Sequence, residues 1–136
     1  MIPEDLKTKA AFPEGKGREL KAKDIAYSLI RLADPRVHSN GFWILEGRVK
    51  GLDEWHAKYT KDTTAKPNYE EEIEGIKALD DYTLQIKLKQ PYPQLLNALA
   101  MPYTSAVARE VVEKYGQEFL NHAVGTGAFI LESFVF

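Results

Sequence analysis

Polar and apolar residues alternate most cleanly between Glu74 and Lys89. Tyr82, Leu84, Ile86 and Leu88 share one parity; Thr83, Gln85, Lys87 and Lys89 share the other. A period of two is the mark of a strand with one buried face. Ile76 and Ala78 supply the apolar parity of a partner strand. Keeping both apolar sets on one face requires 78 opposite 82 and 76 opposite 84, because a slip of one residue moves every side chain to the other face. The spacing predicts a hairpin over about 74–89 with a three-residue loop, Leu79-Asp80-Asp81, or a bulge.

The helical period comes next. Ala22, Ile25, Ala26, Leu29, Leu32 and Ala33 recur on one face, and Asp24 lies in the first turn, where a carboxylate suits exposed amides. Pro35 ends this helix by disfavouring α geometry at Asp34. Lys21 is a poor N-cap. Residues 37–68 are less regular, with a turn at Ser39-Asn40-Gly41 and a short helix placing Leu52, Trp55 and Tyr59 on one face. After Pro91-Tyr92-Pro93, with Pro93 suited to a first helical position, Leu95, Leu96, Leu99 and Ala100 predict one buried side of a helix that stops before Pro102. A further helix over about 106–115 turns Val107, Val111, Val112 and Tyr115 inward, with Gly116 as left-handed C-cap.

The expected fold is α+β: a small antiparallel sheet, formed by the hairpin and a C-terminal strand, packed with four short helices. Residues 1–20 read as a loop-like lead-in, with turn chemistry at Pro13-Glu14-Gly15-Lys16-Gly17. Val124-Gly125-Thr126-Gly127 reads as a bend before an apolar strand from Ala128 to Phe136. So apolar an end is expected to find its cover in further chain. Residues 1–136 are therefore read as a single domain cut from a larger protein, with 124–136 returning toward the rest of it; the alternative is an end strand that docks inside this domain.

Composition narrows the function. Of 136 residues, 44% are hydrophobic and 28% charged, enough for a core. Eighteen basic against twenty acidic residues leave a net charge of −2, which is no footprint for a nucleic-acid backbone. The charge is uneven: 13 basic and 10 acidic residues up to Asn68, then 5 and 10, with Glu70, Glu71, Glu72 and Glu74 clustered. Such a cluster reads first as a solvated edge. No cysteine is present, which excludes a thiol nucleophile, a disulfide or a thiolate metal site, and fits an oxidising compartment.

No catalytic constellation emerges. His38, His56 and His122 lack a second ligand at metal-binding spacing and read as surface or capping residues. Asp80-Asp81 reads as turn chemistry rather than an acid–base pair. Gly125-Thr126-Gly127 could form an anion-binding concavity of amides, though a tight backbone crossing explains it as well. Trp43, after Phe42, is assigned to core packing ahead of a ligand pocket. No catalytic residue, metal ligand or cofactor is expected, and ligand-binding residues are left unassigned.

The order of segments nevertheless carries a resemblance. Residues 22–35, Ala-Lys-Asp-Ile-Ala-Tyr-Ser-Leu-Ile-Arg-Leu-Ala-Asp-Pro, resemble a helix motif of the extracellular solute-binding proteins, family 5. Leu79-Asp80-Asp81-Tyr82-Thr83-Leu84 with Pro91-Tyr92-Pro93, and Tyr115-Gly116 with His122 and Val124-Gly125-Thr126-Gly127-Ala128-Phe129, are similar to its next two blocks. Lys21 departs from the family's usual Ser or Thr cap, and Ala108, Ala123 and Ala128 from common prolines. The resemblance implies a receptor of an ABC importer, at the periplasmic or extracellular face of the cytoplasmic membrane. Its partners would be a peptide or similar solute and the importer's membrane subunits. It implies an accessory subdomain that supports one lobe rather than gripping ligand. The isolated piece would be a monomer or self-associate weakly through its end strand, and the acidic cluster or that strand would be the contact of an alternative interaction domain. A carboxylate-dependent hydrolase using Asp80, Asp81 or Glu70–Glu74 is the remaining alternative.

Overall fold

The computed structural model describes residues 17–122 and 124–127. The expected strand from Ala128 and most of the lead-in lie outside the described residues. The chain divides into two compact units, where the sequence reading draws one domain: Lys21–Ser105, and a unit made of Met1–Leu20 with Ala106–Phe136.

In the unit 21–105 the elements are helix α1 (Ala22–Leu32), helix α2 (Leu52–Lys61), strands β1 (Ile76–Ala78) and β2 (Leu84–Ile86), and helix α3 (Leu95–Leu99). Short 3-10 turns occupy Phe42–Ile44 and Pro102–Thr104. The core gathers Leu29, Ile30 and Leu32 of α1 and the following Ala33 with Ile44, Leu45, Val49, Leu52, Trp55, Tyr59, Ile73, Ile76 and Ala98. Each fully withdrawn Leu or Ile side chain here contributes about 1.5–3 kcal/mol by burial. The predicted face of α2 is buried; on that of α1, Ala22, Leu29, Leu32 and Ala33 are buried while Ile25 and Ala26 are half-buried against the core. Tyr27, Ser28 and Ile30 are buried as well, and the Ser28 hydroxyl is satisfied by donating to the Asp24 carbonyl at 2.7 Å.

The hairpin keeps its predicted faces and changes its register. Ile76 pairs with Ile86 and Ala78 with Leu84, two residues further on than expected. A slip of two preserves the parity, so the same residues face the core. The loop keeps three residues but takes 80–82, closed by the Leu79 amide donating to the Thr83 carbonyl at 2.9 Å. Two contacts select this register. The Asp80 carboxylate accepts the Tyr82 amide at 2.8 Å, and that bond, with one from Thr83, holds Asp80 below the usual carboxylate range. At the apex, the Asp81 carbonyl accepts the Ala22 amide at 2.8 Å while its carboxylate pairs with Lys21 Nζ at 2.5 Å. The hairpin tip thus supplies part of the cap that Lys21 cannot give α1. Asp24 adds the other part, its Oδ2 accepting the Lys21 amide at 2.8 Å. Tyr82, expected in the strand, stands in the loop and is 73% exposed.

A third segment joins this hairpin. Val49 bridges Leu88 in antiparallel sense. Three backbone hydrogen bonds then close a ring: Lys50 to Lys87 at 3.1 Å, Lys87 to Gly75 at 2.9 Å, and Gly75 to Lys50 at 2.8 Å, each from amide to carbonyl. Gly75 stands where the segments converge. A Cβ there would press on the Lys50 carbonyl oxygen, on Val49 Cγ1 at 2.5 Å and on the Lys50 nitrogen at 2.7 Å. Glycine inside a strand commonly marks such a close approach.

Two expectations about side chains are corrected. In α3, Leu96 is exposed and so is Ala100, whereas Ala98 is buried. The helix is only five residues long and starts after a turn at Pro93-Gln94, with the Leu95 amide bonded to the Tyr92 carbonyl. Its inward face is therefore set by that turn. Trp43 is also not in the core, being 49% exposed. The 3-10 turn that carries it directs its neighbour Ile44 and then Leu45 inward instead.

The second unit holds Arg109–Tyr115 as helix α4, followed by a 3-10 stretch, Gly116–His122. Helix α4 starts three residues later than expected. Val111 is buried, with Ala108, Tyr115, Phe119 and Val124 packed on it. Gly116 takes a positive φ of 56° as expected, though with ψ −119°, outside the left-handed helical region and open in practice only to glycine.

Candidate functional site

The densest polar arrangement in the unit 21–105 begins at the end of α1. Asp34 precedes Pro35 and is 5% exposed. Its Oδ1 accepts the Arg36 amide at 2.9 Å, a turn built around the proline. Its Oδ2 accepts the Tyr69 hydroxyl, and Arg36 Nε lies 3.8 Å from Oδ1. The segment bearing Tyr69 is laid along a row of aromatic rings. Tyr27 meets Tyr69 edge to face at 4.9 Å, Trp55 lies 5.9 Å from Tyr69, and Trp55 and Tyr59 are 4.8 Å apart. Trp55 Nε1 donates to the Asn68 carbonyl at 3.3 Å, and the Tyr59 hydroxyl takes the Asn68 amide at 3.1 Å. Arg36 Nη2 reaches the Ala65 carbonyl at 2.8 Å. The loop 62–71 is therefore clasped along its length by side chains of α1, α2 and the turn after α1.

This arrangement satisfies itself. Among the described residues, no buried side-chain nitrogen or oxygen lacks a hydrogen-bond partner. Burial and the bond to Asp34 push the Tyr69 hydroxyl far above its ordinary range. A raised native pKa means that the bond stabilises the fold below the ordinary tyrosine value of 10.0 and that this contribution is lost as pH rises beyond it. Tyr69→Phe is expected to destabilise the unit by about 1–3 kcal/mol at neutral pH, the range for leaving a buried hydrogen-bond partner unsatisfied. It is also expected to flatten the decline of stability above pH 10, and urea unfolding of both chains from pH 7 to 11 checks both effects.

The sequence candidates fall apart from one another. His56 Nδ1 lies 2.7 Å from the Ala33 carbonyl, capping the C-terminus of α1, and its ring stacks on Phe42 at 4.6 Å. His122 stacks on Tyr115 at 3.7 Å, and His38 takes a positive φ of 49°. Asp80 and Asp81 serve the turn and the helix cap and do not converge. In the acidic cluster, Glu71 pairs with Lys58 at 2.7 Å, Glu72 with Lys77 at 3.2 Å and Glu74 with Lys50 at 3.7 Å. The Lys58–Glu71 hydrogen bond raises the lysine and lowers the carboxylate from their usual ranges. These are solvated pairs of small energetic weight. Gly125-Thr126-Gly127 is an exposed bend. Among the described residues, no group of three or more His, Asp or Glu is arranged to hold a metal ion, and no helix is long and apolar enough to cross a membrane. Sequence reasoning missed the clasp. The Asp-Pro step after α1 was legible as a helix stop, but nothing local paired Asp34 with a tyrosine 35 residues away.

Comparison with known proteins gives this self-contained geometry a setting. Residues 5–135 match the model for bacterial extracellular solute-binding proteins, family 5 Middle. The chain belongs to that family. It is 30% identical over 122 residues to the periplasmic oligopeptide-binding protein OppA of Escherichia coli K12, a match covering 88% of this chain and 21% of that protein. Over 66 residues, 48% of this chain and 13% of the relative, it is 39% identical to a glutathione-binding protein, GsiB, of Escherichia coli O1:K1. Among solved structures, a periplasmic oligopeptide-binding protein of Borrelia burgdorferi, OppAIV, superposes with a TM-score of 0.70 at 34% identity, over 88% of this chain and 22% of that one. The Escherichia coli murein tripeptide binding protein MppA gives 0.65 at 26% identity, over 87% and 22%. The chain thus spans about a fifth of the length of these full-span relatives.

Proposed function

We propose that this chain is the bracing part of a substrate-binding receptor of an ABC importer. The receptor would work at the periplasmic or extracellular face of the cytoplasmic membrane, take oligopeptides, and deliver them to the importer's membrane subunits. The observation that carries this reading is the family match over residues 5–135, joined to buried polar side chains that, among the described residues, all find hydrogen-bond partners. The relatives named for oligopeptides favour that solute class over others. In this reading the clasped loop and the core of residues 21–105 give a stiff body. Ligand is enclosed by lobes built from other parts of the receptor, which close on it. In this reading the part has no catalytic role: among the described residues, Asp80 and Asp81 serve a turn and a helix cap, and Glu71, Glu72 and Glu74 stand in solvated pairs.

Calorimetry separates the two halves of the proposal. The receptor that carries this sequence, titrated with tri- to pentapeptides, is expected to bind them. The 136-residue chain alone is expected to give no heat of binding at the same concentrations. Binding of peptide by the 136 residues alone would overturn the bracing role, and a receptor indifferent to every peptide would overturn the solute class.

A further inference from the structure

The two units have unequal claims on the chain. One is continuous, Lys21–Ser105; the other is assembled from stretches on both sides of it. In sequence, residues 21–105 are therefore an insertion, and the flanking unit holds together only if its two stretches stay joined. Arg18 and Glu110 both belong to that flanking unit, just before the chain leaves it and just after it returns. Arg18 Nε donates to Glu110 Oε1 at 2.8 Å, and Nη2 to Oε2 at 3.3 Å. The pair is fork on fork, between side chains only 27% and 23% exposed. Planar guanidinium and carboxylate matched in this way give more direction, and more energy, than a single-point surface contact.

We propose that Arg18–Glu110 is the staple that closes the base of the insertion, a positioning pair for helix α4 and not a ligand contact. Joining chain ends across a long insertion costs closure entropy that nearby residues must offset. The inserted unit needs no help from the staple, because its core of Leu29, Ile44, Val49 and Leu52 is complete within it. Among the described residues of the flanking unit, the buried cluster is a small one around Val111, on the helix whose first turn carries Glu110. Loss of the staple should thus be felt on one side of the crossings only.

Amide hydrogen exchange on the full chain tests this, with Arg18→Gln, Glu110→Gln and the double variant. In each single variant the α4 amides are expected to exchange about three- to tenfold faster, the range for a partly buried, bidentate pair. The amides of Leu29, Ile44 and Val49 are expected to keep their rates. The double variant should accelerate exchange by less than the product of the two single effects, since the shared part of a coupled pair is lost only once. Arg18→Lys, which keeps the charge without the fork, should recover only part of the protection. Unchanged α4 exchange in the single variants, additive effects in the double, or equal acceleration within residues 21–105 would each overturn the proposal.

Discussion

Gly75→Ala is expected to destabilise the unit 21–105 by about 2–4 kcal/mol, through overpacking together with lost hydrogen bonds. The added methyl group would meet backbone and a branched side chain, not the far end of a flexible one. Lys50, Gly75 and Lys87 each give and accept a bond in the same ring, so moving any one of them disturbs the other two. Relief by local shift is therefore expensive. Urea unfolding followed by tryptophan fluorescence measures the loss, with Gly17→Ala as control because a Cβ there meets nothing within 4 Å. A Gly75→Ala chain within 0.5 kcal/mol of the parent would mean that the three segments are not locked as described.

Trp55→Ala should cost about 3–5 kcal/mol, the usual range for deleting a large aromatic from a core. The indole is 3% exposed, lies against Tyr59 and Tyr69, and holds the Asn68 carbonyl. Its loss opens a cavity and releases the middle of the loop 62–71 at once. Trp55→Phe should be milder, keeping much of the packing and losing the hydrogen bond. Because the substitution removes the main fluorescent reporter, far-UV circular dichroism in urea is the measurement. Equal midpoints for the Ala and Phe variants would show that packing carries none of the difference.

Local pattern determined much of this structure, and its failures have a common cause. The starts of α1 and α2, the stop before Pro35, the inward faces of both helices and the parity of the hairpin follow from periods of 3.6 and 2 acting on neighbouring residues. What could not be read was set by partners far along the chain. The hairpin register was decided at Asp81, whose carbonyl and carboxylate are engaged by Ala22 and Lys21. Trp43 looked like core material on composition alone, but the 3-10 turn gave the inward position to Ile44. Gly75 carried no periodic signal, since its role is the absence of a side chain where backbone crosses. The clasp around Asp34 was not readable either, because Tyr69 joins it from across the fold.

The cap of α1 also bears on the order of events during synthesis. Residues 22–32 emerge from the ribosome well before the hairpin apex, which is 60 positions later than Lys21. Until Asp81 is made, the first amide of that helix has only water as acceptor. The early helix of a nascent chain should consequently fray at its leading end, and stop doing so when the apex arrives. Ribosome-stalled chains ending before and after that position would differ in protection at Ala22, marking the moment at which translation completes the helix.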